Sequence, residues 1–169
     1  MEASSISPPL FVFYRSHSQL TFQGPRMRLK IDHLDHLVLT VRDISITCAY
    51  YETVLGMEVI SFGNDNSRKA LLFGSQKINL HEAGKEFQPK AQYPTPGSVD
   101  LCFITATPLA DVVAHSQQQD IEIIEGPVTR TGARGPIESV YIRDPDLNLI
   151  EVSNYLTRPD MADGAKNEE

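Results

Sequence analysis

The stretch that decides the fold is His36-Leu37-Val38-Leu39-Thr40-Val41, taken together with Asp100-Leu101-Cys102-Phe103-Ile104-Thr105, which matches it at an offset of 64. Both are short β-rich runs, and each leads into a helical pattern. After the first, Asp43 is placed to cap a helix. The apolar positions Ile44, Cys48, Tyr51 and Leu55 recur at steps of three and four, and Gly56 is placed to end it. After the second, Thr107 is the candidate cap, with Pro108 at the first helical position and Leu109, Val112 and Val113 on the apolar face. A further matching pair closes each unit: Ile78-Asn79-Leu80 and Ile150-Glu151-Val152, at an offset of 72. The chain therefore reads as one βαβββ unit used twice.

Working outward, Met57–Phe62, Lys69–Phe73 and Lys77–Glu82 are expected as the later strands of the first unit. Ile121–Ile124, Ser139–Ile142 and Leu149–Ser153 are their counterparts in the second. Residues 84–97 carry Gly84, Pro89, Pro94, Pro96 and Gly97 and read as a linker. Gly126–Pro136 reads as a long loop rich in Gly, Pro and Arg. The expected fold is α+β: two βαβββ modules, 31–83 and 98–155, forming a curved mixed sheet around a cleft with the helices outside. Residues 1–30 and 156–169 are expected to be a disordered extension and a disordered acidic tail.

Composition bounds the function. The 169 residues are 41% hydrophobic and 22% charged, an ordinary globular balance. No apolar run approaches the roughly 20 residues of a membrane span. A net charge of -7 argues against a basic surface for nucleic acid or anionic membrane. Cys48 and Cys102 do not make a disulfide framework and fit a reducing compartment. The expected location is the cytoplasm. The alternative is mitochondrial, because residues 1–30 are Ser-rich and carry Arg15, Arg26, Arg28 and Lys30 against Glu2 alone.

Strand alternation sorts the cleft side from the core side. Leu37, Leu39 and Val41 fall under the first helix, and Leu101 and Phe103 under the second. The opposite faces carry His36, Asn79 and His81 from the first unit, and Asp100, Glu151 and Ser153 from the second. Polar groups inside a sheet are costly unless paired or bound to a metal, so their convergence points to a metal site. Arg130, Thr131 and Arg134, in the Gly-rich stretch, are candidates for holding an anionic group of a substrate.

Those residues resemble the vicinal oxygen chelate superfamily, which includes glyoxalases, methylmalonyl-CoA epimerase, extradiol dioxygenases and fosfomycin-resistance proteins. The carriers are Leu34 through Val38, Tyr50-Tyr51 with Val54-Leu55-Gly56-Met57, Lys77 through His81, and Asp144-Pro145-Asp146 with Asn148 through Val152. Within it, Lys77–Lys90 and Glu125–Arg143 look most like the small glyoxalase domain-containing proteins. The resemblance spans roughly 31–155. It implies a divalent metal held by His36, Asp100 and Glu151, with Asn79 and His81 as further candidate ligands and with Glu151 and Asp100 as catalytic groups. Asp100 stands where relatives usually carry His, and Asn79 where glyoxalases carry Glu.

Such an oxygen-rich set favours Mn, Mg or Fe(II), with Zn or Ni as alternatives. The activity so implied is a lyase or isomerase reaction on a small substrate with vicinal oxygens. Two alternatives stand beside it: an Fe(II) ring-cleaving dioxygenase using His36, His81 and Glu151, and a metal-free small-molecule-binding module. A homodimer is expected, with no nucleic-acid or membrane partner. Whether the modules pair within one chain or exchange between two is open at this level.

Overall fold

The structure, a computed structural model, describes residues 28–157. The chain divides into two units. Of the first, which ends at Asp32, only 28–32 are described, as an exposed irregular segment. The expected extension and acidic tail lie mostly outside the described residues. Every helix and strand among the described residues belongs to the second unit, which begins at His33.

That unit runs β1 (His36–Val41), α1 (Ile44–Leu55), β2 (Glu58–Phe62), β3 (Arg68–Phe73), β4 (Gln76–Glu82), β5 (Asp100–Ile104), α2 (Leu109–Gln118), β6 (Glu125–Gly132), β7 (Gly135–Arg143) and β8 (Leu149–Tyr155). The repeat read from the sequence is present as two four-stranded mixed sheets, in the orders β1-β4-β3-β2 and β5-β8-β7-β6. In each, the first and last strands of the module pair in parallel. Leu37 pairs with Ile78 in the first sheet as Leu101 pairs with Ile150 in the second. The offsets of 64 and 72 are thus the register of the fold itself.

Local chemistry explains the elements. Asp43 accepts from the backbone N–H of Ser45 at 2.8 Å and of Ile46 at 3.0 Å, capping α1 as expected. Gly56 ends that helix in the left-handed region at φ 65. The expected cap of α2 is corrected: Pro108 occupies the cap position, no side chain caps the helix, and Thr105 Oγ1 accepts from the Thr107 N–H instead. Ile121–Ile124 is not a strand. The stretch expected as a long loop is the β6–β7 hairpin, with Gly132 and Gly135 paired across its end. Its Gly and Pro residues mark a bulge between Glu125 and Val128 and a tight end, the two places in a ladder where such residues belong.

The two modules share one core on the helix side of their sheets. Leu39, Val41, Leu71, Ile78 and Leu80 from the first join Val140, Ile142, Ile150 and Val152 from the second, with Tyr51 and Leu109 from the helices. A buried polar knot ties them. Asp144, 3% exposed, accepts from Tyr51 Oη at 3.0 Å, from Asn148 Nδ2 at 2.8 Å and from two backbone N–H groups of its own turn. Asn148 Oδ1 accepts from the Val99 N–H, positioning the start of β5. Asp146 accepts from Arg42 Nε at 2.6 Å, just after β1 ends. Gly97, at φ +73, passes so close to this turn that a Cβ would lie 2.5 Å from the Asp146 carbonyl oxygen. The Asp144-Pro145-Asp146 turn therefore fixes the strands that carry the site.

Candidate functional site: two polar sheet faces

The faces turned away from the core carry the candidate residues. On the first sheet, the cross-strand rows are His36–Lys77–Leu72–Glu58 and Val38–Asn79–Ala70–Ile60. On the second, the corresponding rows are Asp100–Leu149–Arg143 and Cys102–Glu151–Tyr141–Glu125. His36 and Asn79 thus stand in the same diagonal relation as Asp100 and Glu151. Each module contributes one such pair.

His36 is exposed, and its Nδ1 lies 2.6 Å from Asp35 Oδ1. That hydrogen bond holds the Asp35 carboxyl below its usual range. A carboxylate on one ring nitrogen orients the imidazole and leaves the other for a further partner. Asn79 is the more telling residue. Its Oδ1 is buried and has no hydrogen-bond partner. Buried acceptors are nearly always satisfied, so an orphan is a place where a missing donor or cation belongs. His81 is buried. Burial, followed by the charge of Arg68, pushes its imidazole down toward the neutral, ligating form. Its ring packs edge-on against Phe87.

On the second sheet Asp100 is exposed at the first position of β5. Glu151 is half-buried within a polar network. Ser153 Oγ lies 3.5 Å from its Oε1 and 2.8 Å from Ser139 Oγ. Tyr141, which sequence reasoning missed, is the β7 register partner of Glu151. Its hydroxyl accepts from Arg130 Nε at 3.1 Å. Burial raises the phenol, the Arg130 contact opposes this, and the Glu151 carboxylate adds to it, so the proton is held on Tyr141. Cys102 lies beside Glu151 on the other flank, its thiol pushed up by burial.

Of the residues expected to hold an anionic group, Arg130 is engaged with Glu125 and Tyr141. Arg134 lies over the Tyr155 ring at 5.3 Å, and Thr131 is exposed on the face opposite Arg130. Among the described residues of one chain, no group of three or more His, Cys, Asp and Glu side chains comes close enough to hold a metal ion. His36 and Asn79 share one face of the first sheet, and Asp100 and Glu151 share the corresponding face of the second.

Two βαβββ modules, each a four-stranded mixed sheet with a helix, define a glyoxalase-like class of fold. The model of the Glyoxalase/Bleomycin resistance protein/Dioxygenase superfamily matches residues 33–152, and the chain belongs to that superfamily. It is 60% identical over 130 residues to the virulence protein STM3117 of Salmonella typhimurium strain LT2, covering 77% of this chain and 89% of that protein. The crystal structure of STM3117 superposes with a TM-score of 0.74 at 61% identity, over 76% of this chain and 100% of that one. The glyoxalase domain-containing protein RDO1 of Mycosarcoma maydis is 56% identical over 133 residues, 79% of this chain and 74% of that protein. The lactoylglutathione lyase of Agrobacterium tumefaciens shares the fold: TM-score 0.56 and 21% identity, over 73% of this chain and 94% of that one.

Proposed function

We propose that the protein is a divalent-metal-dependent enzyme of lyase or isomerase type, acting on a small substrate with two adjacent oxygens. It works as a homodimer in which His36 and Asn79 of one copy meet Asp100 and Glu151 of the other. The observation that carries this reading is the orphaned Asn79 Oδ1, buried at the position that repeat symmetry equates with Glu151. The donor set fits such an ion: one imidazole, one amide oxygen and two carboxylates, a combination suited to Mn, Mg or Fe(II). When bound, the ion supplies Lewis acidity toward the two substrate oxygens.

The rest falls to the chain's own residues. A Glu151 carboxylate oxygen takes a proton from the carbon beside the oxygens and returns it. Ser153 Oγ lies against that carboxylate, and Tyr141 stands beside it across the β7–β8 register. Val38 and Ile104, 46% and 49% exposed on the two faces, are covered when the faces meet and keep water from the reacting carbon. Two-fold pairing makes each interface supply both half-sites twice.

Metal analysis of purified protein tests the reading. Wild type retains a divalent ion through gel filtration as a dimer, and His36→Ala and Glu151→Ala each lose it. Full occupancy in either variant overturns the assignment. Oxygen uptake on adding Fe(II) and catechols would instead mark ring-cleaving chemistry.

A further inference from the structure

The first sheet's polar face carries a cationic cluster that neither the metal nor the proton transfer uses. Arg68 lies on β3 and Lys77 on β4. The Arg68 guanidinium sits 4.3 Å from the Phe87 ring centroid, and the Lys77 ammonium 4.7 Å from that of Phe62. Phe62 is the register partner of Arg68. Lys77, in the row of His36, therefore extends diagonally across the face toward the row of Arg68 and Phe62, past Asn79 and Ala70. Two positive charges thus share one face of the first sheet, with the ring under Lys77 beside Arg68 in register, in a protein whose net charge is -7.

Neither is bound directly by a carboxylate, and the nearest acidic influences are Asp35 on Lys77 and Asp65 on Arg68. Among the described residues, Arg68 and Lys77 enter no ion pair. The nearby Glu86 is held by Lys90 Nζ at 2.6 Å and by the Gly84 N–H at 2.9 Å. Both cations rest instead on aromatic rings, which hold them in place without satisfying their hydrogen-bond donors. A guanidinium forks onto a carboxylate through two parallel hydrogen bonds, and an ammonium adds a point charge beside it. Arg130, the more obvious cation in the sequence, already has Glu125 and Tyr141.

We infer that Arg68 and Lys77, backed by Phe87 and Phe62, receive a carboxylate of the substrate, so that the protein acts on organic acids. This rests on the reading that the faces bearing Asn79 and Glu151 form the substrate site, and it names the substrate class for that site. The carboxylate docks at the Arg68 end. The reacting oxygens then lie toward Asn79, further along the same face.

Calorimetric titration of the chelator-treated full-length protein with benzoate, and with benzamide as its uncharged counterpart, tests the inference. Benzoate binds, and benzamide binds at least about tenfold more weakly. Arg68→Gln and Lys77→Met each weaken benzoate about tenfold, Arg68→Lys recovers part of the loss, and Lys85→Gln, on an exposed pair with Glu82, changes nothing. Circular dichroism melts confirm that the variants fold, and Lys77→Met carries the test if Arg68→Gln does not. Equal binding of benzoate and benzamide, no benzoate binding, or wild-type affinity in the folded variants overturns the inference. Parallel titration with Mn2+ separates the two readings. Metal binding without carboxylate binding removes the organic-acid assignment alone, and carboxylate binding without metal binding removes the metal assignment alone.

Discussion

Asn79 and Glu151 are the same position in two copies of one unit. Asn79 pairs with Val38 on β1 and Ala70 on β3, and Glu151 pairs with Cys102 on β5 and Tyr141 on β7. In the second copy Ser153 Oγ lies 3.5 Å from the carboxylate, and in the first the amide oxygen has no partner. An asymmetric pair of this kind fits a proton-moving carboxylate opposite a neutral, non-basic ligand.

The orphaned oxygen makes a direct prediction. Asn79→Asp places a negative charge where no donor is available, so the metal-free protein should lose about 1–3 kcal/mol of stability. Saturating Mn2+ should restore most of it, because the ion then has a third carboxylate. Melts with Mn2+ and with chelator check this. A variant that melts like wild type in both conditions would place Asn79 outside the metal's reach.

Tyr51 is a structural counterpart. Its ring is fully buried in the core, and its hydroxyl donates to Asp144 in the knot that positions β5 and β8. Burial and the Asp144 charge push its phenol far up, so the hydroxyl stays a donor at any working pH. Tyr51→Phe keeps the packing and removes one bond of several to Asp144. A loss of about 1 kcal/mol in urea unfolding is expected. An unchanged midpoint would show that the knot does not depend on that bond.

Glu86 sets an acid limit on the segment after β4. The hydrogen bonds from Lys90 and from the Gly84 N–H hold its carboxyl down to about 2. A folded value below the unfolded one contributes stability that is complete above the unfolded value and is lost as pH falls toward the folded one. Wild type should therefore lose stability relative to Glu86→Gln between about pH 4.5 and 2, and the gap should be constant above that window. Melting temperatures across pH 2 to 7 measure it, and parallel curves throughout would rule out the contribution.

The modules were legible because their end strands carry a repeated pattern and Asp43 and Gly56 have caps' chemistry. The β6–β7 hairpin was not. Gly126, Pro127, Gly132, Gly135 and Pro136 punctuate a ladder here, yet the same residues equally mark a loop. Tyr141 escaped for a related reason. Only the first and last strands of each unit show the repeat in the sequence; the register of β3 and β7 equates Tyr141 with Ala70 and places a polar neighbour beside Glu151. His36, Asn79, Asp100 and Glu151 were placed on the right faces by alternation alone. That the described residues of one chain bring no three of the His, Cys, Asp and Glu side chains together is a matter of tertiary arrangement, to which strand periodicity is blind.

The central claim is that each metal site takes His36 from one copy and Glu151 from the other, and mixing two crippled chains tests it most directly. His36→Ala and Glu151→Ala protomers, unfolded together, refolded and separated by distinct tags, give a heterodimer in which one site has lost both groups and the other has kept both. The account predicts that this heterodimer recovers roughly half the metal of wild type while each parent homodimer holds none. A heterodimer as empty as its parents would mean that His36 and Glu151 act within one chain, and would contradict the shared site.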